Sequence, residues 1–471
     1  MLSYAPPTVG YTTQMTTTPF AWRHETRQLL AIALPIIAAQ LLQMSMGVID
    51  TLMAGRISPL ALAAIALGTS VYSFAMLLGI GVMMAMTPTV SQLLGAGDNH
   101  LIREELRQGL WLALCVGVVA ILTSMGLAQS LSWFGVEPSI IPEAQRFIYW
   151  VMWSLPFIFL AVVPRAFNEA KRNTLPMMWI QLLIMPLNIL GNYLFMFGHA
   201  GFPAMGAAGA ALSTGISQVV GCLLLFTYTL KTPRYRSYDL AKRMTRPDPA
   251  HMMQLLRLGL PISVSISMEV GMFMVVALLM GSFGVTAAAG HQIALNVASL
   301  TFMVPLGTAM ALTVQVGNAV GAQSYELARQ RGQLGILLCA GFMLFSGLNL
   351  WLWGEQIASW YSKDLAVVQA ASHFLLFAAL FQLGDGIQVS SAGALRGYKD
   401  TLYPMLITTF CYWVVGVALG WYLSHYTSFG ASGLWIGLVS GLFMAALLLG
   451  LRFNSLSKGL INTASKETVL S

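Results

Sequence analysis

Charge is what this chain has least of. Only 9% of its 471 residues are Asp, Glu, Lys or Arg, whereas soluble domains carry about 25%. A water-exposed surface over that length needs far more, so a soluble globular fold is excluded. Cysteine is scarce as well. Cys115, Cys222, Cys339 and Cys411 each fall in an apolar stretch. No pair has the close spacing of a metal or redox site, and they read as small packing residues. The residues before Arg23 are Thr- and Pro-rich and mostly polar. They lack the basic start, short apolar core and cleavage site of a secretory leader, which leaves the first apolar helix as an uncleaved signal. A net charge of +7 does not mark a nucleic-acid partner, because the basic residues sit between apolar segments.

Apolar residues fill the space that charge leaves. The chain is 57% hydrophobic with a mean hydropathy of +0.73. Apolar runs of about 20 residues or more read as transmembrane helices. The period-two alternation of a membrane barrel is absent, and lipid admits no other spanning structure. Twelve spans are expected, at 28–53, 60–92, 106–130, 142–169, 175–197, 206–230, 254–283, 288–319, 330–353, 365–393, 402–424 and 430–451. Several are longer than a crossing needs and are expected to tilt or kink. Pro35, Pro156, Pro164, Pro186, Pro261 and Pro305 fall inside them.

Orientation follows from the basic residues. The tails and even-numbered loops, with adjoining helix edges, hold 21 of the 24 Lys and Arg; the odd-numbered side holds Arg56, Arg146 and Lys363. That split places both termini in the cytoplasm. The chain is also written twice. Gln28-Leu29-Leu30 and Leu34-Pro35-Ile36 return 226 residues later as Gln254-Leu255-Leu256 and Leu260-Pro261-Ile262. Gly95-Ala96 returns as Gly321-Ala322, Asn173-Thr174 as Asp400-Thr401, and Gly206-Ala207-Ala208-Gly209 as Gly430-Ala431-Ser432-Gly433. Ordered matches at a steady offset mean duplication. Six helices per half return the chain to its starting side, so the lobes insert in parallel about a pseudo-two-fold axis along the membrane normal. The expected organisation is a cytoplasmic tail (1–27), an N-lobe (28–230), a basic cytoplasmic linker (231–253), a C-lobe (254–452) and a second cytoplasmic tail (453–471). The fold class is an all-α polytopic membrane protein of twelve helices in two six-helix lobes.

Three carboxylates stand inside apolar segments: Asp50 near the outer end of span 1, Glu269 near the middle of span 7, and Asp385 in span 10. An ionised acid at bilayer depth costs roughly 2.5–3.5 kcal/mol or more. A bound cation, a proton or a cationic substrate would offset that cost. Asn188 and Asn192 of span 5 are four residues apart and share a helix face, and Thr214 lies in span 6. With Asp50 they form an oxygen-rich set suited to a hard monovalent cation or a proton relay. The plainer readings are pairing of Asp50 with Arg56 and interhelical hydrogen bonding by the asparagines. None of the four recurs at the matching place in the second half. Glu269 and Asp385 have no basic residue near them on their own helices, since Arg257 and Arg396 lie roughly 16–18 Å along the axis. Proton exchange and metal-ion binding both stay open for them. His291, at the start of span 8, reads as a helix-end hydrogen bonder; His373 carries no strong signal. Among 28 Met and 12 Trp, most face lipid or pack helices, and a minority can line a cavity for flat apolar cations.

With these residues in hand, the chain resembles the multidrug and toxic compound extrusion (MATE) family, NorM branch. The likeness covers about 28–452. It rests on Val48-Ile49-Asp50-Thr51-Leu52-Met53-Ala54-Gly55, on Thr87-Pro88 through Gln92-Leu93-Leu94-Gly95-Ala96-Gly97, and on Gly259-Leu260-Pro261 leading to Glu269. Gly290-His291-Gln292-Ile293-Ala294-Leu295-Asn296 and Asp385-Gly386-Ile387-Gln388 with Leu395-Arg396-Gly397-Tyr398-Lys399-Asp400-Thr401 complete it. The resemblance implies a cation-coupled antiporter that expels organic cations and fluoroquinolone-like drugs. It carries the coupling role to Asp50, Asn188, Asn192, Thr214, Glu269 and Asp385, with Na+ at Asp50, Asn188, Asn192 and Thr214 as one option and H+ as the other. Substrate contacts are expected from Asp50, Gln40, Glu269, Asp385 and Phe381. Some sodium-linked relatives place a tyrosine where Phe381 stands, which tilts the expectation mildly towards protons.

The expected protein is therefore no enzyme and needs no cofactor beyond its coupling ion. It is expected as a monomer in a bacterial inner membrane, in contact with lipid and with cationic amphipathic drugs, and with no nucleic acid. The alternative is a lipid-linked precursor flippase, which calls for a cationic cavity; here Lys and Arg gather at the cytoplasmic edge. An intramembrane enzyme would want a clustered His–Glu, Ser–His or paired Gly–Asp motif at depth, and none is seen.

Overall fold

Helices account for the secondary structure of the computed structural model, which describes residues 21–240 and 245–470. The first lobe contains α1 (Trp22–Ala54), α2 (Pro59–Met83), α3 (Met86–Ala96), α4 (Asn99–Gln129), α5 (Ile141–Val151), α6 (Leu155–Ala170), α7 (Leu175–Gly191) and α8 (Ala207–Lys231). The second contains α9 (Pro249–Gly281), α10 (Val285–Gly321), α11 (Tyr325–Tyr361), α12 (Leu365–Gly397), α13 (Leu402–Phe410), α14 (Leu419–Tyr426) and α15 (Ala431–Leu470). Pairs such as α2 with α3 run on as one span, so among the described residues twelve helical segments are long and apolar enough to cross a membrane. The expected count and class are what the structure has.

Local chemistry sets the helix starts. Ser58 accepts from the Ala61 amide at 3.0 Å, with Pro59 at the first helical position of α2. Asp98, Asp248 and Asp364 cap α4, α9 and α12 in the same way. The Asp248 cap and Pro249 start α9 at 249, ahead of the expected 254. Pro156 sits in the first turn of α6, after a short 3-10 turn at Met152–Ser154, so the expected fourth span is broken there. Residues from 453, read from sequence as a tail, continue α15, because nothing proline-like stops the helix. Residues 1–20 of the expected first tail and 241–244 of the expected linker lie outside the described residues.

Each lobe has its own core. In the first, Met83, Met86, Phe159 and Phe167 are buried together; in the second, Phe374, Phe381, Tyr412 and Trp435 are. The duplication is also visible in individual contacts. Gln92 donates to the Gly397 carbonyl at 2.8 Å, and its counterpart Asn318 donates to the Ala170 carbonyl at 3.3 Å. Thr174 donates to Ile32 O and Thr401 to Leu258 O, both at 3.1 Å. Gly95 lies against the Asn318 carbonyl and Gly321 against the Gln92 carbonyl, each so closely that a Cβ would collide with the oxygen. Small residues allow backbones this close where lipid supplies no hydrophobic drive.

Among the described residues, the hydrogen bonds that cross from lobe to lobe lie in the half of the bundle nearer the basic loops. They include Gln92–Gly397, Asn318–Ala170, Ser263 to Leu78 O at 2.8 Å, and ion pairs at Glu25 and Glu105. The lobes are joined at that end.

Candidate functional site

Inside the first lobe, the four polar residues expected to act together do meet. Asn192 donates from Nδ2 to Asp50 Oδ1 at 2.6 Å, and Thr214 donates to Asp50 Oδ2 at 3.4 Å. Asn188 donates to Thr214 Oγ1 at 3.3 Å, and its own oxygen accepts from Asn192 at 3.4 Å. Both asparagines are 0% exposed, while Asp50 and Thr214 are half-buried. Asp50 makes no ion pair with Arg56, so the plainer interfacial reading fails.

The local fold explains the convergence. The helix carrying the two amides passes into a π-helical stretch at Asn192–Met196. Such stretches break the regular ladder and re-aim side chains, often at functional sites. Gly191 lets α8 approach until Ser213 Oγ would touch a Cβ there, and Ser213 donates to the Asn188 carbonyl at 2.8 Å. The next residue, Thr214, then faces Asp50. The oxygens of Asp50, Asn188 and Thr214 and the unpartnered Oδ1 of Asn192 make a donor set that fits a proton or a hard monovalent cation. Among the described residues, no group of three His, Cys, Asp or Glu side chains is arranged to hold a metal ion.

The second lobe gathers its acids differently. Asp385 of α12 is 4% exposed and Glu269 of α9 is half-buried. Their carboxyl groups come near enough to repel each other, and Arg396 lies within electrostatic range of Glu269. No ion pair joins Arg396 to either acid; its Nε has no hydrogen-bond partner among the described residues. The buried hydroxyl of Tyr412 faces the same charges and is also unpartnered. Tyr412 belongs to a second π-helical stretch, Cys411–Ala418, in the span matching that of Asn192. Trp413 donates to the Met268 carbonyl at 3.2 Å and so pins α9 beside this stretch.

Two members of this group carry no signal in the sequence. Tyr412 lies in an apolar run and looks like any packing aromatic. Arg396 looks like a residue of the basic edge, and only the fold brings it from α12 towards Glu269 on α9. Phe381 packs against Phe273 at 5.9 Å and Trp435 at 6.2 Å between ring centres and is 2% exposed. Gln40 is half-buried on α1, about 15 Å before Asp50 at 1.5 Å per residue. The expected helix-end role of His291 is corrected: it lies inside α10, edge-on to Trp435 at 5.5 Å, and neither ring nitrogen has a partner among the described residues. A ring packed among aromatics is held by burial, not by a hydrogen bond. His373 pairs with Ser432 Oγ at 2.8 Å.

Twelve spans in two repeated lobes, with carboxylates held inside each, define a membrane transporter. The family model described as MatE matches residues 35–194 and 261–422, and the chain belongs to that family. Multidrug resistance protein MdtK of Yersinia enterocolitica serotype O:8 / biotype 1B is 40% identical over 442 residues, covering 92% of this chain and 96% of that protein. The MdtK of Yersinia pestis strain Pestoides F is 39% identical over 444 residues, with the same coverage of 92% and 96%. Among solved structures, an outward-facing multidrug resistance MATE family transporter of the MOP superfamily superposes with a TM-score of 0.84 at 23% identity, over 93% of this chain and 96% of that one. The eukaryotic MATE transporter AtDTX14 gives 0.81 at 20% identity, over 93% and 98%.

Proposed function

We propose that the chain is a multidrug efflux antiporter of a bacterial inner membrane, exchanging inward H+ or Na+ for outward organic cations and fluoroquinolone-like drugs by alternating access. The observation that carries this reading is that Asp50, Glu269 and Asp385 lie inside spans without a Lys or Arg among the described residues ion-paired to any of them. Their charge is free to be met by an exchangeable guest. The relatives named multidrug resistance protein support the substrate class.

With the basic end in the cytoplasm, as the 21-to-3 distribution of Lys and Arg argues, the lobes are closed on the cytoplasmic side. Binding of H+ or Na+ from outside removes the negative charge that holds the drug cation and favours release. The coupling comes from the different affinities of the two conformations for ion and drug. Asp50 with Asn188, Asn192 and Thr214 would hold the ion in one lobe, and Glu269 with Asp385 in the other.

Proteoliposomes loaded with ethidium separate the ions: efflux is driven first by a sodium gradient alone, then by a pH gradient alone. Asp50→Asn, Glu269→Gln and Asp385→Asn are expected to weaken whichever gradient works. Unchanged ion-driven transport in all three variants would reject the reading.

A further inference from the structure

Four side chains close the basic end of the seam between lobes, and they are two copies of one contact. Arg331 of α11 donates from Nε and Nη2 to both oxygens of Glu25 on α1, at 2.8 and 3.1 Å. His251 of α9 approaches Glu105 Oε2 on α4 with Nε2 at 2.6 Å. Positions 25 and 251, and positions 105 and 331, are each 226 apart, the offset of the internal repeat. The duplication has therefore set one cross-lobe pair on either side of the axis, with the acid on opposite members.

The two pairs differ in what holds the positive charge. Arginine stays charged at every physiological pH. Histidine is the side chain whose charge changes between pH 5 and 8. Glu105 is 5% exposed, and its Oε1 has no partner among the described residues. A neutral imidazole still donates one hydrogen bond to it but no longer balances its charge, and an uncompensated buried charge is strongly unfavourable. The pair borders a cavity of about 450 Å³, lined also by Arg257, Lys399 and Tyr403, which brings solvent to the ring from the basic end. The charged and titratable groups around it among the described residues are Asp248 and Arg257 on its own helix, Glu104, Glu105 and Arg107 on α4, and Lys399, Asp400 and Tyr403 beside α13. Asp400 is engaged by Arg452 at 2.7 Å and Glu104 by Arg107 at 3.9 Å.

We propose that Glu105–His251 is a proton-operated catch: the imidazolium holds the basic end of the seam shut, and loss of its proton to solvent on that side favours separation of the lobes. Glu25–Arg331 is the matching catch without pH sensitivity. His251 gives and takes its proton on one side of the membrane, so the catch sets the pH dependence of opening and carries no net proton across. The idea rests on the lobes parting at this end during transport, and not on which ion or drug is exchanged.

Spin labels at Leu101→Cys and Ser324→Cys, exposed positions on opposite lobes, report the seam in the full-length protein in lipid nanodiscs. Cys115, the exposed native cysteine, is replaced by alanine. Distance distributions are recorded at pH 5.5 and pH 8.5 with no gradient and no drug, so failure of antiport in proteoliposomes leaves this test intact. Raising the pH is expected to increase the ratio of separated to closed lobes about tenfold, the scale set by weakening a hydrogen bond between two charged groups to one with a single charged partner. His251→Arg should stay closed at both pH values, and His251→Gln should be enriched in the separated form at both. Identical wild-type distributions at the two pH values would overturn the proposal. So would a pH response undiminished in His251→Arg, which would point to the intramembrane acids instead.

Discussion

The two lobes share a chain path and hold their carboxylates in opposite ways. In the first, Asp50 accepts from Asn192 and Thr214, and Asn188 ties both into one network. In the second, Glu269 and Asp385 face each other with Arg396 and the Tyr412 hydroxyl nearby. Yet the seam contacts match position for position: Gln92 with Asn318, Glu25 with His251, Glu105 with Arg331. Duplication has kept what joins the lobes and varied what lies within them. A seam between two similar halves must be complementary on both sides of its axis. The interior of a lobe meets no such demand, so one can hold an acid by hydrogen bonds and the other can set two acids against each other near an arginine that pairs with neither.

Several substitutions can break or sharpen this contrast. The largest effect is expected for Asp385→Asn or Glu269→Gln, which removes one of two mutually repelling acids and with it a charge that an exchangeable cation can meet; ion-driven ethidium efflux should fall by more than about tenfold, a loss of some 1.4 kcal/mol. If Asp50→Asn alone abolished efflux while both C-lobe variants retained it, coupling would belong to the hydrogen-bonded lobe. Next in size, Asn192→Ala deletes the 2.6 Å donor to Asp50, which should cost about 1–3 kcal/mol in thermal unfolding at neutral pH. Asn188→Ala should cost less, because it reaches Asp50 only through its neighbours. Tyr412→Phe keeps the ring and removes the hydroxyl. The ion concentration for half-maximal efflux should shift about two- to fivefold, the size of a hydrogen-bond contribution near 0.5–1 kcal/mol, with little change in melting temperature. The smallest effects are expected at the hydrogen bonds of the seam: Gln92→Ala and Asn318→Ala should each cost about 0.5 kcal/mol, the low end for one hydrogen bond, and match each other in thermal melts. A clear inequality between them would mean that the two sides of the seam do not share the load.

Much of the N-lobe site is legible in sequence. Asn188 and Asn192 stand one helical turn apart, and four polar residues among apolar ones point to mutual satisfaction. Less of the C-lobe site is legible, because no two of its members share a helix face at close spacing: Glu269 is on α9, Asp385 and Arg396 are eleven residues apart on α12, and Tyr412 follows α13. A tyrosine or a basic residue at a helix end looks the same in sequence whether it packs, faces water or turns towards a buried acid. His291 illustrates the reverse case. A polar residue near a helix start suggests a cap, but α10 begins at Val285 and buries the ring against Trp435.

Composition, span length and the 226-residue repeat determined by themselves that this is a twelve-helix, two-lobed membrane protein with acids inside it, because lipid admits few spanning structures and makes every buried charge conspicuous. Only the tertiary structure decided which groups those acids meet, and that one of two matched seam pairs is closed by a histidine and the other by an arginine. Partners on separate helices are set by how the helices pack, and no spacing along the chain encodes that distance.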